Sequence, residues 1–332
     1  MYTFTQLRNQ VATNCNISNA DATQMAVVDR RINDSIRTMC NLQGGKLRFL
    51  EATEDMTTVA DQESYLIPNK FRKLIDLYIY SGTDASAPST DTIYSPEMVF
   101  DPTKWKRILQ YRLGSQDVPY YVYVENQKYY IQPVPSTTGN IIRLRGRLNT
   151  VDLTIADYTT GTITSIANGG TAVVGSSTVW TADMVGRYIQ ITQTTAANGG
   201  DGAWYQIGAF TDATHITLLK PYNGTTIAAA TAAYTIGQVP VIPEAYQPGI
   251  IYRSSALYWQ TENDLNRAKS YWGQYDGGNE AGYNKEYGGL VAQMLANEGE
   301  TEEGSYISPF GKNGNLPLPP YYLPFQDASG FS

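Results

Sequence analysis

Histidine is almost missing from this 332-residue chain, with His215 standing alone. A Ser-His-Asp or Cys-His relay needs a histidine beside its nucleophile, and Thr214-His215-Ile216-Thr217 offers none. A lone histidine in a strand reads as a surface residue. Cysteine is nearly as scarce. Cys15 and Cys40 are too few and too far apart for a disulfide framework or a zinc knuckle, which favours synthesis in a reducing compartment. Basic charge is in deficit, with 24 Lys and Arg against 31 Asp and Glu and a net charge of −7. That balance argues against a broad nucleic-acid footprint. No run approaches the ~20 apolar residues that span a bilayer. Met1-Tyr2-Thr3-Phe4-Thr5 lacks the basic and apolar segments of an export signal.

The fragments that imitate catalytic motifs fail on spacing. Gly44-Gly45-Lys46 looks like part of a phosphate loop, but Met39 stands where the first glycine belongs and Leu47 replaces the hydroxyl residue. Glu51, Glu54 and Asp55 are neighbours on one predicted hairpin, whereas a glycosidase pair faces across a cleft. No dense Asp/Asn loop suggests calcium. The residues therefore read as a non-enzymatic protein with no cofactor and no metal.

The sharpest deficit is local. Residues 159–238 hold five charged side chains, Asp183, Arg187, Asp201, Asp212 and Lys220. Short β-branched and aromatic runs at 161–166, 171–174, 187–192, 203–210, 214–219 and 231–236 alternate with turns at Asn168-Gly169-Gly170, Asn198 to Gly202 and Asn223-Gly224. Six short strands predict a small all-β sandwich or barrel. Charged, helix-patterned sequence flanks the block, so it reads as an insertion. The resulting division is a host of 1–157 and 239–300, an inserted β-domain of 158–238, and a C-terminal arm of 301–332.

Within the host, Asp21 or Asn19 can cap a helix whose apolar stripe is Met25, Val28, Ile32, Ile36 and Met39, ended by Gly44-Gly45. Residues 47–56 and 58–67 predict a hairpin, and 71–80 a third strand. Ser95-Pro96 and Asp101-Pro102 both signal helix starts, the helix running to about Leu113. Tyr121 to Glu125 and Lys128 to Gln132 alternate about an Asn126-Gln127 turn. Ile141 to Leu148 then sets Arg143, Arg145 and Arg147 on one strand face. That row suits phosphates or carboxylates, or protects an exposed strand against edge pairing. The second reading is preferred, because no other basic patch accompanies it. A helix over 243–262 is followed by one long helix carrying Ala268, Tyr271, Tyr275, Tyr283, Tyr287, Leu290 and Met294, weakened at Gly277-Gly278. The fold class is α+β.

Tyrosine is abundant, at 26 residues. Tyrosine is enriched at protein interfaces, so many are expected to serve subunit contacts. The arm is proline- and aromatic-rich, from Tyr306 and Phe310 to Tyr321, Tyr322 and Phe325, and recurrent proline forbids a helix there.

The order of elements resembles the head-to-tail adaptor (connector) proteins of tailed bacteriophages. The likeness rests on Tyr65-Leu66-Ile67-Pro68-Asn69-Lys70-Phe71, on Pro119-Tyr120-Tyr121 through Tyr129-Tyr130-Ile131-Gln132-Pro133, and on Val241-Ile242-Pro243-Glu244-Ala245-Tyr246. The stretches Val179 to Tyr188, Trp204-Tyr205-Gln206-Ile207 and Leu218 to Tyr222 are similar to a β-domain of such virion proteins. The resemblance implies a helical core, here with added β-structure. It implies a homo-oligomeric ring of twelve beneath the portal protein in the virion neck, extending the DNA channel and docking tail (nozzle or hub) proteins. It makes Tyr306, Phe310, Tyr321, Tyr322 and Phe325 the portal-gripping residues of an arm that orders on binding. DNA would pass without specific binding, and no membrane is involved. The alternative is a carbohydrate-binding or tail-fibre-type virion component with Trp180, Tyr188, Trp204 and Tyr205 stacking on sugars.

Overall fold

The computed structural model describes residues 1–80, 93–110, 119–192, 200–277 and 289–299. The fold is α+β, and among these residues six helices accompany three sheets.

The chain opens with a helix that the hydrophobic stripes did not announce, α1 (Phe4–Asn14). Its signal is a capping box. The Thr3 hydroxyl accepts from the Gln6 N–H while the Gln6 side chain accepts from the Thr3 N–H. Helix α2 (Ala22–Cys40) follows as the pattern predicts, with Asp21 accepting from the Thr23 and Gln24 N–H groups at 3.0 Å each. All five stripe residues are buried.

Helices α4 (Pro248–Thr261), α5 (Leu265–Asp276) and α6 (Leu290–Glu298) complete a helical body around one apolar cluster. Two small residues let α2 and α4 approach. The Ser35 and Ser254 hydroxyl oxygens lie 2.9 Å apart, so one donates to the other, and the accepting serine turns its own hydrogen to a backbone carbonyl of its helix, Arg31 for Ser35 or Ile250 for Ser254. The predicted 243–262 helix is instead a short 3-10 turn at Glu244–Tyr246 followed by α4. The single long helix beyond residue 263 is also corrected. Gly277 adopts φ 86°, the left-handed cap that glycine tolerates, and ends α5 there. Tyr283 and Tyr287 lie outside the described residues.

The second layer is a pair of four-stranded sheets packed on one core. The first runs β1 (Glu51–Thr57), β8 (Ile141–Leu148), β3 (Phe71–Tyr80), β4 (Ile93–Tyr94) in spatial order. The second runs β2 (Ser64–Leu66), β7 (Lys128–Gln132), β6 (Tyr121–Glu125), β5 (Glu97–Val99). Leu77, Ile79, Val122, Tyr129, Ile131, Ile142 and Leu144 fill the space between them.

The hairpin expected from 47–56 and 58–67 does not form. β1 pairs with β8, 84 or more residues away, and β2 crosses to the other sheet to pair with β7. The β6–β7 hairpin forms as read, with Asn126 and Gln127 both at positive φ (49° and 60°), which matches a type I′ turn. Ser95-Pro96 leads into strand β5 rather than a helix, while Asp101 caps α3 (Pro102–Gln110) through a 2.8 Å bond from the Thr103 N–H. Leu113 is outside the described residues.

The third sheet has seven strands rather than six. They are β9 (Thr162–Ile166), β10 (Ala172–Ser176), β11 (Tyr188–Ile191), β12 (Trp204–Asp212), β13 (His215–Leu218), β14 (Ile227–Ala232) and β15 (Tyr234–Gly237). Their order is β14-β9-β10-β13-β12-β11-β15. The predicted 231–236 run is thus divided between two strands at opposite edges. Only Ala233 separates them in sequence, so the sheet curls until its two edges come together. The interior is a separate apolar cluster containing Trp180, Tyr205, Tyr222 and Tyr234.

Candidate interaction surfaces

The place where the curled sheet leaves the rest of the chain is closed by the N-terminus. Thr3 Oγ1 donates to Asp157 Oδ2 at 2.7 Å, and the Asp157 N–H donates to Thr5 Oγ1 at 2.9 Å. On the returning strand, the Phe4 N–H donates to the Gln238 carbonyl at 2.8 Å. The Gln238 side chain accepts from the N–H groups of Thr154 and Ile155, 2.8 Å each. Outgoing and returning segments are therefore held by the same three residues, Thr3, Phe4 and Thr5. Met1 itself pairs with Glu244, and the Tyr2 N–H donates to Gln247 Oε1 at 2.6 Å. Burial raises the Asp157 carboxyl above its ordinary value against the opposing pull of the Thr3 and Thr5 hydroxyls.

The arginine row on β8 lies inside the sheet, because β8 pairs with β1 on one side and β3 on the other. β8 is not an edge, so the expectation of charges guarding against edge pairing is overturned, and Arg143 and Arg145 are paired with carboxylates rather than left open for phosphate. Arg143 holds Asp55 through two bonds, Nε to Oδ1 at 2.7 Å and Nη2 to Oδ2 at 2.8 Å, with Tyr80 beneath its guanidinium at 5.0 Å. Arg145 pairs with Glu51, Lys70 with Glu54, and Arg147 is buried. The carboxylates that imitated a glycosidase pair are the partners of these cations. This complementarity supplies the reason that β1 seeks β8 rather than β2. The Arg143 hydrogen bonds hold the Asp55 carboxyl below its ordinary value.

Tyrosine's role shifts toward the interior. Tyr65, Tyr123, Tyr129, Tyr205, Tyr222, Tyr234, Tyr246 and Tyr275 are buried, and among the described tyrosines only Tyr2 and Tyr120 are exposed. Tyr65 stacks on Tyr129 at 5.3 Å, and Trp105 of α3 stacks on Tyr123 at 5.4 Å. Packing therefore accounts for many of the tyrosines that the composition assigned to subunit contacts. Of the four aromatics considered for sugar stacking, Trp180 and Tyr205 are core residues, which removes them as platforms, while Tyr188 and Trp204 are half-buried. The large apolar side chains that do face solvent include Leu66, Phe100 and Tyr120 on the paired sheets and Val179 and Leu219 on the curled sheet.

His215 Nδ1 lies 2.9 Å from Asp212 Oδ1 on the exposed β12–β13 turn, and this contact draws the Asp212 carboxyl down to about 2. Burial pushes the Cys15 and Cys40 thiols up to about 12, so neither is a nucleophile. Among the described residues no group of three or more His, Cys, Asp or Glu could hold a metal, and no helix is long and apolar enough to cross a membrane. The arm residues Tyr306, Phe310, Tyr321, Tyr322 and Phe325 lie outside the described residues.

A family model described as SU10 adaptor protein matches residues 2–293, a span that includes the helical body and all three sheets. No curated protein matches the chain.

Proposed function

The chain belongs to the SU10 adaptor protein family of phage structural proteins, and on that premise we propose that it is a ring subunit of the virion neck. Twelve copies sit beneath the portal, join it to the tail nozzle or hub proteins, and continue the channel through which DNA leaves. The observation that carries this reading is the near-complete family match, which runs through helices and sheets alike. A net charge of −7 supports it, because a DNA channel works best when phosphates are not neutralised by the wall. Closed cyclic symmetry leaves no subunit interface unpaired, which favours a ring over an open polymer.

Residues 158–238 form an inserted domain carried by a host of 1–157 and 239–300, and the arm 301–332 grips the portal through Tyr306, Phe310, Tyr321, Tyr322 and Phe325. Proline-rich extended segments carry a low ordering cost, and aromatic anchors in apolar pockets contribute most of the energy of such contacts. Mass photometry of the purified protein mixed with its portal tests the reading. Twelve adaptor subunits per portal ring is the expected result, and a single subunit per ring would overturn it. Truncation before Gly304 should abolish stable attachment to the portal while leaving the helical circular-dichroism signal intact. Undiminished attachment would remove the arm from the contact.

A further inference from the structure

The last described residues direct the chain toward an open groove. Gly299 forms an antiparallel bridge with Leu47. Antiparallel partners run in opposite directions, so the chain leaves Gly299 on the side of Leu47 where Lys46, Gly45 and Gly44 lie. At this point the Arg72 guanidinium crosses the same backbone. Its Nη2 donates to the Gly44 carbonyl at 3.2 Å, and it lies so close to Gly45 that a Cβ there would sit 1.8 Å from Nη2.

Arg72 also forms one wall of an open groove of about 570 Å³ between the paired sheets. The apolar lining is Ile67, Pro68, Phe71, Leu74, Phe100 and Val124. Phe100 is 70 % exposed, a large apolar surface left uncovered beside a concavity. Lys46, Arg72 and Lys73 are exposed cations along the approach. The sequence that follows Gly299 carries Glu300, Glu302 and Glu303, then Tyr306-Ile307-Ser308-Pro309-Phe310. Acidic and then apolar sequence meets cationic and then apolar surface in the same order.

We propose that residues 300–310 dock on their own subunit, the glutamates along Lys46, Arg72 and Lys73 and the Tyr306–Phe310 stretch in the groove beside Phe100. Fully extended, this segment spans about 37 Å, ample for a groove whose wall begins at Arg72. Pro309 restricts the chain to extended geometry and reduces what docking must order. In the assembled neck the portal competes for Tyr306 and Phe310, so the groove holds the root of the arm until the portal is met. The expectation of an arm that orders only on the portal is thereby narrowed to residues 311–332.

The test uses the free full-length protein, so its outcome is independent of portal attachment. Asn69→Cys on the groove is combined with Ser308→Cys and treated with a short bismaleimide. Cys15 and Cys40 are buried and stay silent. An intrachain Asn69–Ser308 crosslink should form about tenfold faster than in a control pairing Ser308→Cys with Val179→Cys on the curled sheet. Adding Lys73→Glu should bring it toward the control rate. A yield equal to the control, or crosslinks formed only between chains, would overturn the proposal. Unaltered protein gives a second measurement. Chymotrypsin should cut after Tyr321 and Tyr322 about tenfold faster than after Tyr306 and Phe310. Equal cleavage at the two pairs would also overturn it.

Discussion

The curled sheet and the β1-β8-β3-β4 sheet are both antiparallel, but different forces hold them. In the curled sheet the interior is apolar, and one chain of hydrogen bonds runs through its aromatics. Trp180 Nε1 donates to the Tyr234 hydroxyl at 3.0 Å, and that hydroxyl donates to the Thr160 carbonyl. Its strands carry little charge, so turns and core decide the register. In the other sheet the strand that joins from farthest away is matched by carboxylates on β1 to arginines on β8. Its far face packs on the second sheet, while its near face is an ion-pair row open to water. One sheet should respond to loss of buried volume and ignore salt, and the other should show the reverse bias on its charged face.

The largest effects probe whether the curled sheet is a separate unit. Trp180 is 2 % exposed, so Trp180→Ala should cost about 3–5 kcal/mol. Calorimetry should show one transition moving down while the helical signal at 222 nm melts where it did before. Replacing residues 159–235 with a short Gly/Ser linker should likewise leave the helices folded, since the Thr3–Asp157 and Phe4–Gln238 bonds are spared. An insoluble deletion protein would mean that the helical body depends on this sheet. The mirror experiment is Ile32→Ala in the helical core, which should cost about 2–5 kcal/mol and move the helical transition alone. Movement of both transitions by either substitution would join the two regions into one cooperative unit.

How far these regions were legible in the sequence follows from the same contrast. Strand alternation and glycine turns marked most strands of the curled sheet, because half of its pairings join neighbours in sequence across local turns. The pairing of β1 was not legible. Hairpin logic assigns a strand to its neighbour, and nothing local in Glu51, Thr53 and Asp55 announces that they stand opposite Arg147, Arg145 and Arg143. Charge complementarity was in the sequence as two separate observations, an acidic cluster and an arginine row, each read as solvent-facing. Helix α1 was missed because its stripe is short, although Thr3 and Gln6 spell its cap. The tyrosine excess was over-assigned to interfaces, because a count does not distinguish Tyr129, fully buried under Tyr65, from Tyr120, which faces solvent. In the arm, Tyr306, Phe310, Tyr321, Tyr322 and Phe325 are legible as aromatics among prolines, and their role as anchors is a proposal.

A smaller effect sharpens the electrostatic half of the comparison. Arg143 and Asp55 are part-exposed, so Arg143→Ala should cost about 1 kcal/mol or less. That cost should shrink further as salt rises, because exposed pairs are screened. The cost of Trp180→Ala should hold across the same salt series. Urea midpoints at low and high salt give both numbers, and a salt-independent Arg143→Ala penalty would assign the residue to packing on Tyr80 instead.

The smallest effect is a pH dependence whose sign separates the ion-pair row from the junction. The Asp55 carboxyl is lowered from its ordinary 3.8, first by the hydrogen bonds from Arg143 and then by that charge, with desolvation opposing. The folded state therefore holds its proton less tightly than the unfolded chain does. Stability from this pair is fully present above 3.8 and is lost as pH falls through the lowered value. Asp157 has the opposite sign. Burial raises it above 3.8, so its contribution is present below 3.8 and is lost as pH rises through the raised value. Asp55→Asn should therefore be most destabilising near neutral pH and approach the unaltered protein as pH falls through the lowered value. Asp157→Asn, which keeps an acceptor for Thr3 without the buried charge, should be best tolerated near neutral pH, where the carboxylate is most unfavourable. Denaturant midpoints measured from acid to neutral pH decide it. Parallel curves for the two variants would show that neither carboxylate titrates with folding as its surroundings require.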